Sequence, residues 1–356
     1  SDGTRPVPNR KLIPWLLREL PVPPQQVTVL LGNGSHRANT PAEIAAMFGE
    51  EVVSQIKIIN HDAFTPQRNT CIGQTVSGGK VYLNKVYFEA DKRIVVGFIE
   101  PHLFAGFSGG AKGLVPGIAS IDTILYIHGF DLIAHPLSTW GMMQENPIRH
   151  EVEEMVGHCP PDFIVNVTLN SEKQITGLFL GHYIEAHRKG CERSKEEAMQ
   201  AVPHAFPLVI TSNSGYPLDQ NLYQTVKGIS AAARITEPGG TILIASECSD
   251  GIPDHGNFGL LMRFGSSAKD ILEHVASLEN RVLDQWEAQT YAYLMQKFEI
   301  GLFCAMSREL VEACKLHKVN DLQAMVEGRI RALGKRPRVA VLPDGPLTIP
   351  YVSPAQ

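Results

Sequence analysis

The feature that most constrains this chain is its alternation of short β-branched runs with helical patterns. Apolar runs at 27–31, 93–99, 208–211, 241–245, 300–304 and 338–342 read as strands. Helical spacing recurs at 9–20, 119–130, 147–156, 182–201, 221–236, 268–277, 288–298, 307–315 and 321–333. Strands separated by helices call for parallel sheets, since a crossover must return the chain to the same sheet. Ligands then gather at the carboxyl ends of the strands. A hairpin is expected across 163–169 and 174–180, a β-rich excursion at 75–87 turning at Gly78-Gly79, and a further strand at 55–60. Thr40-Pro41-Ala42-Glu43 has the acceptor, proline and glutamate of a capping box, so a helix starts there.

At 356 residues the chain exceeds what one core usually holds, and the strand pattern restarts near 203–207. The expected division is an N-terminal catalytic domain of 1–202 plus 336–356, and a C-terminal α/β domain of 203–335. Ser1-Asp2-Gly3-Thr4-Arg5-Pro6 reads as the loop after a strand that precedes this numbering. A net charge of -5 and a pI near 6.2 provide no basic field, which argues against nucleic acid and anionic membranes as partners. The six cysteines include no Cys-x-x-Cys pair and read as buried reduced thiols. No apolar run reaches the roughly 18 residues of a membrane span and no signal peptide is visible, so cytoplasm is the expected location.

Chemistry concentrates at 97–120, where a strand opens into a glycine-rich loop carrying His102 and Lys112. Gly106-Phe107-Ser108-Gly109-Gly110-Ala111-Lys112-Gly113 departs from a P-loop, with Ala111 before the lysine and no hydroxyl after it. A desolvated lysine amine is a covalent handle; the alternative is a surface lysine in a mobile loop. His36 and His102 each follow an apolar strand, and opposed imidazoles suit proton exchange with either mirror image of a substrate. His128, on the helix leaving the loop, is a candidate ligand for nickel, zinc or copper. Arg5 is a candidate carboxylate clamp. Gln224 and Lys227 share a helix face, either for an anion or merely solvated. Trp286 is either core or a lid over an aromatic group.

Together these segments resemble the nickel-dependent lactate racemase family. The likeness rests on Asp2-Gly3-Thr4-Arg5-Pro6-Val7-Pro8, Gly34-Ser35-His36-Arg37, Glu100-Pro101-His102, Phe107-Ser108-Gly109-Gly110-Ala111-Lys112 and Leu114-Val115-Pro116-Gly117-Ile118-Ala119-Ser120. Gly215-Tyr216-Pro217-Leu218-Asp219-Gln220-Asn221 and Asp284-Gln285-Trp286 complete it, with the motifs in family order. The resemblance implies two α/β domains with Rossmann-like, mostly parallel sheets and an active site in the cleft between them. It implies a nickel-pincer nucleotide, a pyridinium thioamide and thiocarboxylate mononucleotide, joined covalently to Lys112, with nickel also held by His128. His36 and His102 would be the acid/base pair in a hydride-shuttling racemisation of a 2-hydroxy acid, lactate being the leading substrate and malate or a short aliphatic acid the next. Arg5, Gln224 and Lys227 match substrate positions. Asp2 and Trp286 match further pocket positions, and Ser108, Gly109 and Gly110 are expected to offer backbone contacts to the nucleotide. Cofactor-synthesis and nickel-insertion enzymes would be partners. Ala111 and Gly113 depart from the arginine and serine common in the family. An alternative of another class is a nucleotide- or metal-binding protein without racemase activity.

Overall fold

The computed structural model describes residues 2–3, 5–170, 172–254, 256–334 and 336–353. It divides into two compact units. The first comprises Ser1–Glu100, Phe107–Ile127 and Gln144–Ser194, and the second Pro101–Gly106, His128–Met143 and Lys195–Gln356.

The first unit spreads its strands over small sheets instead of one large one. Thr28–Leu31 and Lys57–Asn60 pair in parallel, with Leu31 opposite Asn60. Ile94–Phe98 pairs in parallel with Phe163–Leu169, which pairs antiparallel with Ile175–Gly181. The expected hairpin at Gly78-Gly79 forms between Asn69–Gln74 and Lys80–Asn84. Helix Asn9–Glu19 turns Ile13 and Leu16 into a core with Leu31, Phe48, Val52, Ile56 and Val165. Each fully buried aliphatic side chain there contributes about 1.5–3 kcal/mol. The Thr40 and Glu43 capping box is present in full, and Arg37 pairs with Glu43.

The second unit holds a five-stranded, all-parallel sheet in the spatial order His317–Val319, Glu299–Phe303, Thr236–Ala245, Phe206–Ser212, Val339–Leu342. The order reverses direction at Phe206–Ser212, the first of these strands in sequence. A reversal of this kind opens a crevice at the carboxyl ends of the flanking strands. The loop leaving that end leads into helix Leu222–Ala233, N-capped by Asn221 on Gln224 N–H. Residues 336–353, expected in the first domain, belong here: Val339–Leu342 completes the sheet and Ile349–Val352 pairs with Met199–Val202. Only long-range pairing decides that placement, and a lone closing strand carries no sign of its partner.

Candidate active site

Within the first unit, His36 sits on the loop after Thr28–Leu31. Its Nδ1 lies 2.7 Å from Asp2 Oδ2, a carboxylate only 4% exposed. An ionised carboxylate accepts only, so Nδ1 carries the hydrogen and Nε2 of the neutral ring keeps its lone pair. The loop is fixed by Gly34, whose N–H donates to Gly117 O at 2.9 Å and whose φ of +57° suits glycine. Arg5 Nη1 is 3.3 Å from Glu100 Oε1, so this fork already has one carboxylate partner.

Lys112 stands half-buried in the tight turn Gly110–Gly113, one residue beyond two glycines of positive φ, Gly109 (+78°) and Gly110 (+56°). The turn is gripped from inside the unit. Asn166 Oδ1 accepts from Gly110 N–H at 2.8 Å, His187 Nε2–H donates to Ser108 O at 2.7 Å, and Arg149 donates to Phe107 O. Ser108 N–H donates to Glu100 O, and its hydroxyl donates to Phe98 O while accepting from Glu100 N–H. The N–H groups of Ser108 and Gly110 are therefore engaged within the protein, which differs from the expectation that they face a nucleotide. His187 is fully buried, and burial, reinforced by the Arg149 guanidinium, pushes its ring down to about 3. It is a neutral donor at any ordinary pH. A β-carbon on Gly110 would come within 2.6 Å of that ring.

In the second unit His102, Phe104, His128 and Trp286 form a file of rings. Phe104 meets His102 edge-on at 6.0 Å and His128 at 6.5 Å, and His128 packs against Trp286 at 4.4 Å with a 32° tilt. Trp286 is 4% exposed and donates from Nε1 to Tyr223 Oη at 2.9 Å. Tyr223 lies on the helix that bears Gln224 and Lys227, where Lys227 Nζ donates to Gln224 Oε1 at 2.6 Å. The next helical turn after Trp286 is anchored too: Tyr291 donates to Leu222 O at 2.7 Å, and Gln289 to Phe130 O at 2.9 Å beside His128. His102 Nδ1 accepts from the N–H groups of Phe104 and Ala105 at 3.2 and 3.3 Å, which leaves the hydrogen of the neutral ring on Nε2.

The structure thus groups Asp2 with His36 in one unit, and His102, His128, Trp286, Gln224 and Lys227 in the other. The segment 97–120, continuous in sequence, contributes to both. Sequence reasoning missed His187, Asn166 and Arg149, which lie 42–79 residues from the loop residues they grip and match no local motif. It also missed Tyr223 and Glu100, both inside or beside quoted motifs. Among the described residues no three or more His, Cys, Asp or Glu side chains gather as a metal-binding cluster. A lone imidazole buttressed by tryptophan is a fitting donor for a metal whose other ligands come from an organic group. An amine on a rigid turn is a fitting point of attachment for one.

The first unit thus carries a carboxylate-backed histidine and a rigidly held lysine, and the second carries two further histidines in a file of rings and a lysine–glutamine pair, on a mostly parallel α/β fold. Residues 1–141 match the lactate racemase N-terminal domain, and residues 203–349 the lactate racemase C-terminal domain. The chain is 38% identical over 352 residues to the lactate racemase of Thermoanaerobacterium thermosaccharolyticum, and 35% identical over 353 residues to that of Lactiplantibacillus plantarum. Each alignment covers 97% of this chain and 82% of the relative. The chain belongs to the lactate racemase family, a family of isomerases. The structure of the T. thermosaccharolyticum lactate racemase apoprotein superposes with a TM-score of 0.93 at 36% identity, covering 98% of this chain and 84% of that one. A Thermotoga maritima protein at 16% identity shares the fold, with a TM-score of 0.74 over 99% of this chain and 92% of its own.

Proposed function

We propose that this protein racemises lactate or a closely related 2-hydroxy acid, with Lys112 as the covalent tether and His128 as a ligand of a nickel-pincer nucleotide. The observation that carries the reading is the likeness to lactate racemases, which runs through both units at 35–38% identity. When bound, the nucleotide supplies a carbon that accepts and returns hydride. Abstracting the α-hydrogen as a proton would need a far stronger base than imidazole, which is why the residues work on the hydroxyl instead.

His36 is the proton acceptor for one mirror image. Asp2 holds Nδ1–H, leaves the Nε2 lone pair for the substrate hydroxyl, and stabilises the imidazolium that forms. His102 begins in the complementary state, presenting Nε2–H to a substrate oxygen. Its exchange of a full proton requires the ring to release the Phe104 and Ala105 amides, and those long contacts break at small cost. Lys227 brings positive charge to the substrate carboxylate, and Gln224 orients it through their 2.6 Å bond. Arg5 serves the same anion by exchanging its contact with Glu100 for the substrate. Trp286, fixed by Tyr223, sets the plane of the His128 ring.

The test is protein co-produced with cofactor-making enzymes, analysed by intact mass, by nickel content and against a chirally resolved panel of 2-hydroxy acids. The reading expects added mass that maps to Lys112, stoichiometric nickel and interconversion of lactate enantiomers. A chain that takes up no mass and no nickel under those conditions defeats it. His36→Gln and His102→Gln are expected to retain the adduct while losing turnover.

A further inference from the structure

Two of the six cysteines, Cys248 and Cys304, lie close together in the second unit, and neither is used by the reading above. Cys304 follows strand Glu299–Phe303, and Cys248 lies just past the adjacent strand Thr236–Ala245. These strands run parallel with Ala245 opposite Phe303. The pairing continues beyond their ends, Ser246 N–H donating to Phe303 O at 3.0 Å and Ala305 N–H to Glu247 O at 2.8 Å. Continuing the register sets Ser246 beside Cys304. The chain turns at Cys248, whose φ is +52°, and this brings its Sγ back to 3.6 Å from Ser246 Oγ, on the Cys304 side of the strand end.

The surroundings of the two sulfurs differ. Cys248 is 2% exposed, with its Sγ 3.4 Å from Thr225 Oγ1 and 3.6 Å from Ser246 Oγ. Cys304 is half-buried, and its Sγ lies 3.5 Å from Lys318 Nζ, which a second bond to the Cys304 carbonyl holds in place. The Cys304 thiol is lowered below the ordinary thiol value, first by a hydrogen bond from Cys248, then by the Met306 N–H and Lys318, against the opposing effect of burial. Cys248 is pushed the other way, by that same bond and by burial. A cation-flanked, reachable thiolate beside a buried thiol is the arrangement of an attacking and a resolving sulfur.

We propose that Cys304 and Cys248 form a redox-active dithiol, with Cys304 attacking small hydroperoxides and Cys248 resolving the product as a disulfide. In the first step the Cys304 thiolate forms an S–O bond to the terminal peroxide oxygen as the O–O bond breaks. The sulfur is oxidised by two electrons, the peroxide is reduced, and the departing hydroxide or alkoxide takes a proton from water. In the second step Cys248 sulfur forms the S–S bond as the S–O bond of the sulfenic acid breaks, and the Cys248 proton leaves with the hydroxyl as water. A dithiol reductant reverses the reaction. Disulfide formation draws Cys248 away from Thr225, which lies on the helix between Gln224 and Lys227, so oxidation reaches the anion-holding face.

The experiment treats the reduced full chain with stoichiometric hydrogen peroxide and follows it by intact mass and peptide mapping. The expected product is lighter by two hydrogens, carries a 248–304 cross-link and is restored by dithiothreitol. Cys71 is an exposed thiol in the same molecule. At pH 7 iodoacetamide should modify Cys304 faster than Cys71 despite its lower exposure, and Lys318→Met should slow Cys304 by roughly tenfold. Cys248→Ser should stop at a Cys304 sulfenic acid that dimedone traps. The proposal fails if peroxide oxidises Cys71 while Cys304 stays reduced, if the cross-link joins other cysteines, or if Lys318→Met leaves the Cys304 rate unchanged. The mapping on the unsubstituted chain and the Lys318→Met rate decide the matter even if the cysteine variant does not fold.

Discussion

Replacing Gly110 by alanine separates two physical effects that coincide at the lysine turn. Gly110 has a φ of +56°, a conformation that costs an L-residue about 1–2 kcal/mol. Gly34 has almost the same φ, +57°, and a β-carbon added there would meet Pro116 O first, at a comfortable 3.6 Å. Gly34→Ala therefore measures conformational strain alone. At Gly110 the new carbon would lie 2.6 Å from Cγ and 2.9 Å from Cδ2 of the buried His187 ring, close enough to force that ring aside. Displacement breaks the 2.7 Å bond to Ser108 O and leaves a buried carbonyl unsatisfied, which costs about 1–3 kcal/mol more. Gly110→Ala should therefore destabilise by about 2–5 kcal/mol against about 1–2 for Gly34→Ala, read as the shift in urea midpoint at constant m-value. Amide exchange at 108–113 should accelerate in the Gly110 variant only. If Gly110→Ala costs no more than Gly34→Ala, His187 is not the floor of this turn.

His187 also makes a prediction about acid stability. Its folded value near 3 lies below the unfolded 6.5, so the unfolded chain binds a proton that the folded one refuses. The neutral ring's contribution is complete above pH 6.5 and declines by about 1.4 kcal/mol per pH unit as pH falls from there toward 3. The stability advantage over His187→Gln should shrink by about 2 kcal/mol in urea titrations between pH 7 and 5; a constant difference would contradict the burial argument. On the proposed racemase reading, Asp2→Asn replaces the charged acceptor that fixes His36 Nδ1–H with a neutral amide that can also donate to Nδ1. Turnover should fall by roughly 10²-fold or more with little change in KM, and parental turnover would remove Asp2 from the mechanism.

Much of this protein is determined by local sequence alone. The alternation of β-branched runs with capped helices settles the parallel α/β class, because strand and helix periodicities are properties of neighbouring residues. Thr40 and Glu43 specify their helix start unaided, and Gly78-Gly79 their hairpin. The motifs around His36, His102, Lys112 and Asp284-Gln285-Trp286 point to the family, since each is a short run read along the chain. Contacts between distant residues are decided only on folding. Val339–Leu342 takes an edge of the second sheet by pairing with a strand more than a hundred residues earlier, against the domain division expected from order alone. Glycines at 109 and 110 promise flexibility in sequence, yet the structure makes that turn rigid: Asn166, His187 and Arg149 arrive from other elements and occupy its backbone groups. Cys248 and Cys304 likewise look unrelated until parallel pairing brings the ends of the strands they follow together. Periodicity encodes which element forms, whereas burial and partner choice depend on where the whole chain returns.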